Sequence, residues 1–420
     1  MIQNLKQQKF DKTLLLILVI TFLFFLYSFF IAKKYVIFAD GAGYYSYPYL
    51  LLKENSLNHS LPQYRSIFGT YEFENGIYIN KYPIGTGLFL FPAALASFTV
   101  SNISNTEYYI YSDTSNFFVG IFGILYLILG LFILKKILLH FFNKKTANLT
   151  LLLITLGTNL LIYGSVDASF SHIYSFLSVN LMILYTLKWN KDPSRINAII
   201  LGFAMGLIIL VRQSNIYLLL LPILYTFQNI KLQGSKKEYF KSLVIILLIL
   251  VLTSVPQLVY WLTYANSILI YSYRDEGFNF LAPQLLNILF NINRGLLFWH
   301  PILIGALLGF SFKTEFNKKV LLLLIAISIY LSASWWQWDY SIGFGHRAFT
   351  DILGIFAIGL ALSIKYTLKL ARKYQVTIII LTLLLLTINF ITSTNYIKNE
   401  YNYKKLTIVE YVESIVNFKI

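Results

Sequence analysis

Eleven stretches of the chain are apolar over close to the length of a membrane-crossing helix: about 13–32, 116–134, 148–165, 170–187, 196–211, 215–229, 242–264, 295–312, 319–336, 350–364 and 374–392. A hydrocarbon core about 30 Å thick takes roughly 20 residues of helix. The pattern therefore predicts an all-α polytopic membrane protein with about eleven transmembrane helices. The first run is followed by Lys33-Lys34 and a long polar segment, with no small-residue cleavage site. It reads as a retained helix rather than a signal peptide.

Composition supports this class. Apolar residues make up 57% of the 420 residues and charged residues 12%, about half the charge of a soluble domain. Disorder and a soluble enzyme are excluded. With no cysteine, disulfides and thiolate metal sites are excluded as well.

The net charge of +16 would suggest nucleic acid in a soluble protein, but its placement gives it another meaning. With the N-terminus cytoplasmic, and a twelfth apolar run at about 84–100 not crossing, the inner segments hold 21 basic residues and four acids. The outer segments then hold 13 basic residues and 14 acids. This is the asymmetry of the positive-inside rule. Run 84–100 is accordingly expected to lie as a juxtamembrane helix on the outer face, and nucleic acid is not a partner. The chain reads as one domain, 1–420. Its inner loops are short, and four long outer segments carry the mixed chemistry: 33–115, 265–294, 337–349 and the tail 393–420.

The first outer segment opens with Phe38-Ala-Asp-Gly-Ala-Gly-Tyr-Tyr-Ser-Tyr-Pro48. Asp40 stands just beyond the first span, and Gly41 and Gly43 allow close backbone approach. Tyr44 and Tyr45 follow, and residues 35–111 hold twelve of the 32 tyrosines. One reading is an aromatic interfacial belt with Asp40 as a helix cap. The other is a carboxylate base beside aromatic walls that pack on a sugar. Asn75-Gly-Ile-Tyr-Ile-Asn-Lys-Tyr-Pro-Ile-Gly85 ends the loop. Its Lys81 serves either to snorkel to lipid phosphates or to hold one substrate phosphate.

Together these two stretches resemble the first extracytoplasmic loop of the glycosyltransferase-C superfamily, which includes protein mannosyltransferases and lipid A aminoarabinose transferases. Tyr163-Gly-Ser-Val-Asp167, Arg212 in Val211-Arg-Gln-Ser, Asn291 to Pro301 and Trp338 to Arg347 are similar to further stretches of that family, in order along the chain. In two places the chain departs from the family pattern. Gly41 stands where many members have a second acid, and Tyr82 precedes a single proline.

The resemblance implies transfer of a sugar from a polyprenyl-phosphate carrier to a glycan, lipid or protein acceptor, by a single inverting displacement at the outer membrane face. Asp40 would be the catalytic base, and Lys81, Arg347 and Arg294 would bind the donor phosphate. Tyr44, Tyr45, Tyr82, Asp167, His300 and His346 would form the substrate side. No cofactor is expected and no metal set is evident, since no His/Asp/Glu group has ligand spacing. The membrane is expected to be a bacterial plasma membrane. A cell-surface polysaccharide polymerase or ligase is the alternative. A lipid-linked glycan flippase is the non-enzyme alternative, but it would place ionisable groups along its spans.

Overall fold

A computed structural model describes residues 11–229, 236–314, 317–398 and 406–418. The helices run in chain order as α1 (Lys12–Leu26, continued by a π turn to Ile31), α2 (Asp40–Glu54), α3 (Ile84–Ile103), α4 (Asp113–Phe141), α5 (Lys144–Leu156), α6 (Leu160–Tyr163), α7 (His172–Lys191), α8 (Arg195–Val211) and α9 (Leu220–Asn229). They continue as α10 (Lys236–Ala265), α11 (Leu285–Phe290), α12 (Leu296–Trp299), α13 (Ile302–Gly309), α14 (Lys318–Ser334), α15 (Leu353–Thr367), α16 (Arg372–Ile397) and α17 (Ile408–Val416). Within the described residues one hairpin interrupts the helices: β1 (Thr70–Glu74) and β2 (Ile77–Asn80), antiparallel, with Thr70 opposite Asn80. Its two-residue turn is Asn75-Gly76, both at positive φ (45° and 81°), the pairing that suits a hairpin's twist.

Six helical stretches among the described residues are long and apolar enough to cross a membrane: Lys12–Ile31, Ile84–Ile103, Asp113–Phe141, Lys237–Ala265, Arg347–Thr367 and Arg372–Ile397. The expected count of eleven is not reached on those terms, for local reasons. Run 148–165 is cut at Gly157 into α5 and α6, and run 295–312 is cut at His300-Pro301 into α12 and α13. Proline lacks an amide hydrogen for the helix ladder. Run 215–229 begins as a 3-10 turn, Gln213–Leu219. α7 is long enough but carries His172, Ser175, Ser178 and Asn180, all buried; it faces neighbouring helices such as α4 and α8 rather than lipid. α3 meets the same criterion as the other five, so its expected place on the outer face rests on the charge pattern alone.

Lipid-facing surface is legible elsewhere. α10 leaves Leu247, Leu248 and Val251 exposed, and α16 leaves Ile380, Leu383 and Leu384 exposed. Such apolar area belongs against hydrocarbon. The buried core is formed by α2 to α5, α7, α8 and α15.

Candidate active site

Asp40 is placed by a chain of contacts that begins in the polar segment after α1. The amides of Val36 and Ile37 both donate to Asn116 Oδ1 at 2.8 Å, and Ser169 Oγ donates to the Val36 carbonyl at 2.6 Å. The chain then reverses: the Gly41 amide donates to the Phe38 carbonyl at 2.9 Å, with Ala39 at φ 42°, ψ −125°. That conformation is strained for a residue with a Cβ. It delivers Asp40 at the first position of α2. Gly41 packs directly on Ser169, whose Oγ lies 1.9 Å from where a Cβ would stand. A second acid therefore does not fit at position 41.

Asp40 borders a cavity of about 530 Å³, a size suited to a small ligand. Oδ1 accepts from the Tyr82 hydroxyl at 2.7 Å, and Oδ2 accepts from Arg347 Nη2 at 2.8 Å. The Asp40 side chain remains 20% exposed. Burial pushes its carboxyl pKa up, but the Arg347 guanidinium and the Tyr82 hydrogen bond outweigh this and hold it below the usual carboxylate value. The Tyr82 ring sits over Gly43 and Gly69, with ring carbons 2.5 Å and 2.3 Å from the positions their Cβ atoms would take. This close seating is why both positions are glycine. Tyr44 packs on Tyr82 at 4.7 Å between ring centroids, and burial raises its hydroxyl pKa to about 12.

Arg347 opens the 3-10 turn Arg347–Ile352. Its guanidinium lies between the rings of Phe170 (5.0 Å) and Tyr340 (5.2 Å), and such stacking fixes an arginine's plane. Lys81, at the end of β2, pairs with Glu276 Oε1 at 2.8 Å on the cavity rim. Loop 266–284 reaches the cavity through Tyr271, Tyr273, Glu276 and Phe278. Phe278 is also bridged to Trp335 beyond α14.

Five of the ten expected site residues thus line one cavity: Asp40, Tyr44, Lys81, Tyr82 and Arg347. The other five lie outside that lining. Tyr45 turns away and hydrogen-bonds Ser115 Oγ at 3.1 Å. Asp167 is fully buried and accepts from the Tyr396 hydroxyl at 2.7 Å. Arg294 donates from Nε to the Gly343 carbonyl at 3.0 Å. His300 is buried against Gly345, with Nε2 2.2 Å from the missing Cβ position. His346 holds the Trp338 carbonyl through Nε2 at 2.8 Å, and burial lowers its pKa to about 3. Arg294, His300 and His346 therefore shape the 338–347 loop that presents Arg347. Gly343 and Gly345 are at φ 107° and 57°. Glycine suits both positions twice over: the backbone lies in the positive-φ region, and Tyr163 and His300 leave no room for a Cβ.

The cavity also recruits residues outside the expected set, above all Glu276, Tyr273, Tyr340 and Arg212. The signal for Tyr273 was the aromatic density of loop 266–284, and the signal for Arg212 was its place at a span end. Glu276 carried none. No group of three His, Asp or Glu side chains among the described residues is placed to hold a metal. Asp40 is committed to Arg347, Glu276 to Lys81, and position 41 has no room for an acid.

With fold and site in hand, the chain can be compared with known structures. It shares its fold with the archaeal oligosaccharyltransferase of Archaeoglobus fulgidus. A crystal structure of that protein in complex with zinc and sulfate aligns with a TM-score of 0.54 at 12% identity, over 93% of this chain and 54% of that one. Its apo form aligns at 0.50 and 11% identity, over 96% and 54%. The chain thus spans about half the length of these neighbours. No family model and no curated protein sequence matches it. At this identity the likeness shows the fold alone, and the long apolar helices make the protein a membrane protein. The likeness does not single out the mannosyltransferase-like or aminoarabinose-transferase-like members.

Proposed function

We propose that the protein transfers a sugar from a polyprenyl-phosphate carrier to an acceptor on the extracytoplasmic side of the membrane. The observation that carries this reading is Asp40: an accessible carboxylate, kept ionised by Arg347 and Tyr82, on the wall of a cavity that also presents Lys81. The neighbour's activity, oligosaccharyl transfer, is glycan transfer in the same fold, and it points the same way.

In the proposed step an acceptor hydroxyl attacks the anomeric carbon as the bond from that carbon to the carrier phosphate oxygen breaks. The hydroxyl proton passes to Asp40, and the electron pair of the broken bond leaves on the phosphate. Arg347 and Lys81 offset that growing charge, the kind of electrostatic assistance that dominates many enzymatic barriers. Arg347 is shared: a phosphate entering beside it competes with Asp40 for Nη2. Loosening that contact raises the basicity of Asp40 when a donor is present. Tyr44, Tyr82 and Tyr273 supply ring faces for the sugar, and α3 would lie along the outer membrane face beneath the loop. The leaving polyprenyl phosphate needs no protonation, so a single carboxylate suffices.

The test is mass spectrometry of cell-surface glycans and glycolipids from cells with and without the gene. Loss of one glycosyl unit, with its lipid-linked precursor accumulating, is the expected result. An identical glycan and lipid-linked sugar profile contradicts the reading.

A further inference from the structure

The cavity contains a second guanidinium that the step above leaves unused. Arg212, at the end of α8, lines the same cavity as Arg347. Asp351 holds it from behind, at 3.1 Å between Nε and Oδ2. That carboxylate is already satisfied: Asn215 Nδ2 donates to Oδ2 at 2.6 Å, and His172 Nδ1 lies 2.9 Å from Oδ1. Asp351 and His172 are almost fully buried, while the Arg212 side chain keeps 15% of its surface. The guanidinium is therefore held by buried groups, while part of the side chain still reaches the cavity. Nη1 lies against the buried Ser171 hydroxyl and His172 ring, at 3.3 to 3.5 Å, and neither of these residues lines the cavity.

The three cations of the cavity differ in this respect. Arg347 is engaged by Asp40 and Lys81 by Glu276, both carboxylates that themselves line the cavity. The carboxylate partner of Arg212 does not line it. An incoming anion has no cavity carboxylate to displace there. Tyr340 lines the same cavity as both arginines, with its ring 5.2 Å from the Arg347 guanidinium. Two guanidinium groups held in one cavity repel, and an anion at each removes that cost. A planar fork fixed from behind is also pre-organised for phosphate or carboxylate.

We propose that the donor headgroup carries two anionic groups, the first on Arg347 and Lys81 and the second on Arg212. This rests on the transferase reading. The second group is either the lipid-linked phosphate of a polyprenyl diphosphate carrier or a carboxylate on the transferred sugar.

Two probe pairs separate these sources in binding measurements on the full chain in detergent: geranylgeranyl phosphate against geranylgeranyl diphosphate, and polyprenyl-phosphate glucose against polyprenyl-phosphate glucuronate. The protein should prefer the second member of one pair by about tenfold or more, and that pair identifies the source. Arg212→Lys keeps a charge beside Asp351 but cannot reach forward at the same time. It should abolish the preference while the first member of the pair binds as before, which also reports an intact fold. Arg212→Gln should behave alike. Equal affinity within both pairs overturns the inference, as does a preference that survives Arg212→Lys. Failure of the wild-type protein to bind any of the four probes contradicts the transferase reading itself, and the inference falls with it.

Discussion

The protein twice sets a carboxylate under a tyrosine hydroxyl with a cation nearby, but only one of the two carboxylates is paired directly with its cation. In the first, Asp40 takes Tyr82 at 2.7 Å and Arg347 at 2.8 Å. In the second, Asp167 takes Tyr396 at 2.7 Å, and Lys34 lies over the Tyr396 ring at 3.8 Å and donates to its carbonyl. The groups are alike and the surroundings are opposite. Asp40 borders a cavity, whereas Asp167 is fully buried and its Oδ1 has no hydrogen-bond partner. Burial dominates at Asp167 and raises its pKa above the usual value, because Lys34 and Tyr396 do not offset it. At Asp40 the partners win. Access to a ligand, more than the identity of the partners, separates a site of chemistry from a structural tie between the end of α1, the turn before α7 and the end of α16.

The largest expected effect on stability breaks the structural tie. Asp167→Ala removes the acceptor of the buried Tyr396 hydroxyl, and leaving a buried donor unsatisfied costs about 1–3 kcal/mol. Thermal unfolding in detergent should show this as a clear loss of stability. Asp40→Ala should cost much less, since Arg347 keeps its two ring partners and has the cavity beside it. Equal losses in the two variants would erase the distinction.

Next is Arg347→Lys. It keeps the charge but loses the fork and the stack between Phe170 and Tyr340. A charge-assisted hydrogen bond is worth about 1.5–3 kcal/mol, so donor binding should weaken roughly ten- to hundredfold. Unchanged affinity would assign Arg347 to packing.

Tyr82→Phe acts on pH dependence. Asp40 must be ionised to accept a proton, and its depressed pKa keeps it so down to acidic pH. Loss of the Tyr82 hydrogen bond raises that pKa, so the acidic limb of the rate profile should move to higher pH. A shift the other way, or none, contradicts the contact's role.

The smallest effect is at Ala39. Glycine accepts φ 42° without strain, so Ala39→Gly should stabilise the turn by about 1 kcal/mol, visible as a modest rise in melting temperature. A fall would show that the turn is not strained.

Much of this contrast could not be read from the sequence. Asp40, Lys81, Tyr82 and Arg347 were legible because each is a polar or aromatic residue next to an apolar run, in segments the charge pattern assigns to one side. Such a pattern gives a residue its depth and side but not the direction of its side chain. Tyr45 follows Tyr44 directly, and the roughly 100° step of the helix sends it to Ser115 instead of the cavity. Asp167, His300 and His346 also lie beside apolar runs but point into packed protein. The membrane architecture was legible where a helix faces lipid, as in α10 and α16. It was not where a run is cut by Gly157 or Pro301, or where α7 exchanges apolar surface for buried serine and asparagine contacts.

The account turns on Asp40 being the base, and one paired substitution tests it. Asp40→Asn preserves shape but cannot take a proton, and Asp167→Asn makes the same change in the buried twin. Purified variants would be assayed for sugar transfer from a polyprenyl-phosphate sugar and, separately, for donor binding. Asp40→Asn should lower turnover by about 10²–10⁴-fold while still binding donor, and Asp167→Asn, once folded, should turn over near the wild-type rate. Near wild-type turnover by Asp40→Asn would contradict the mechanism.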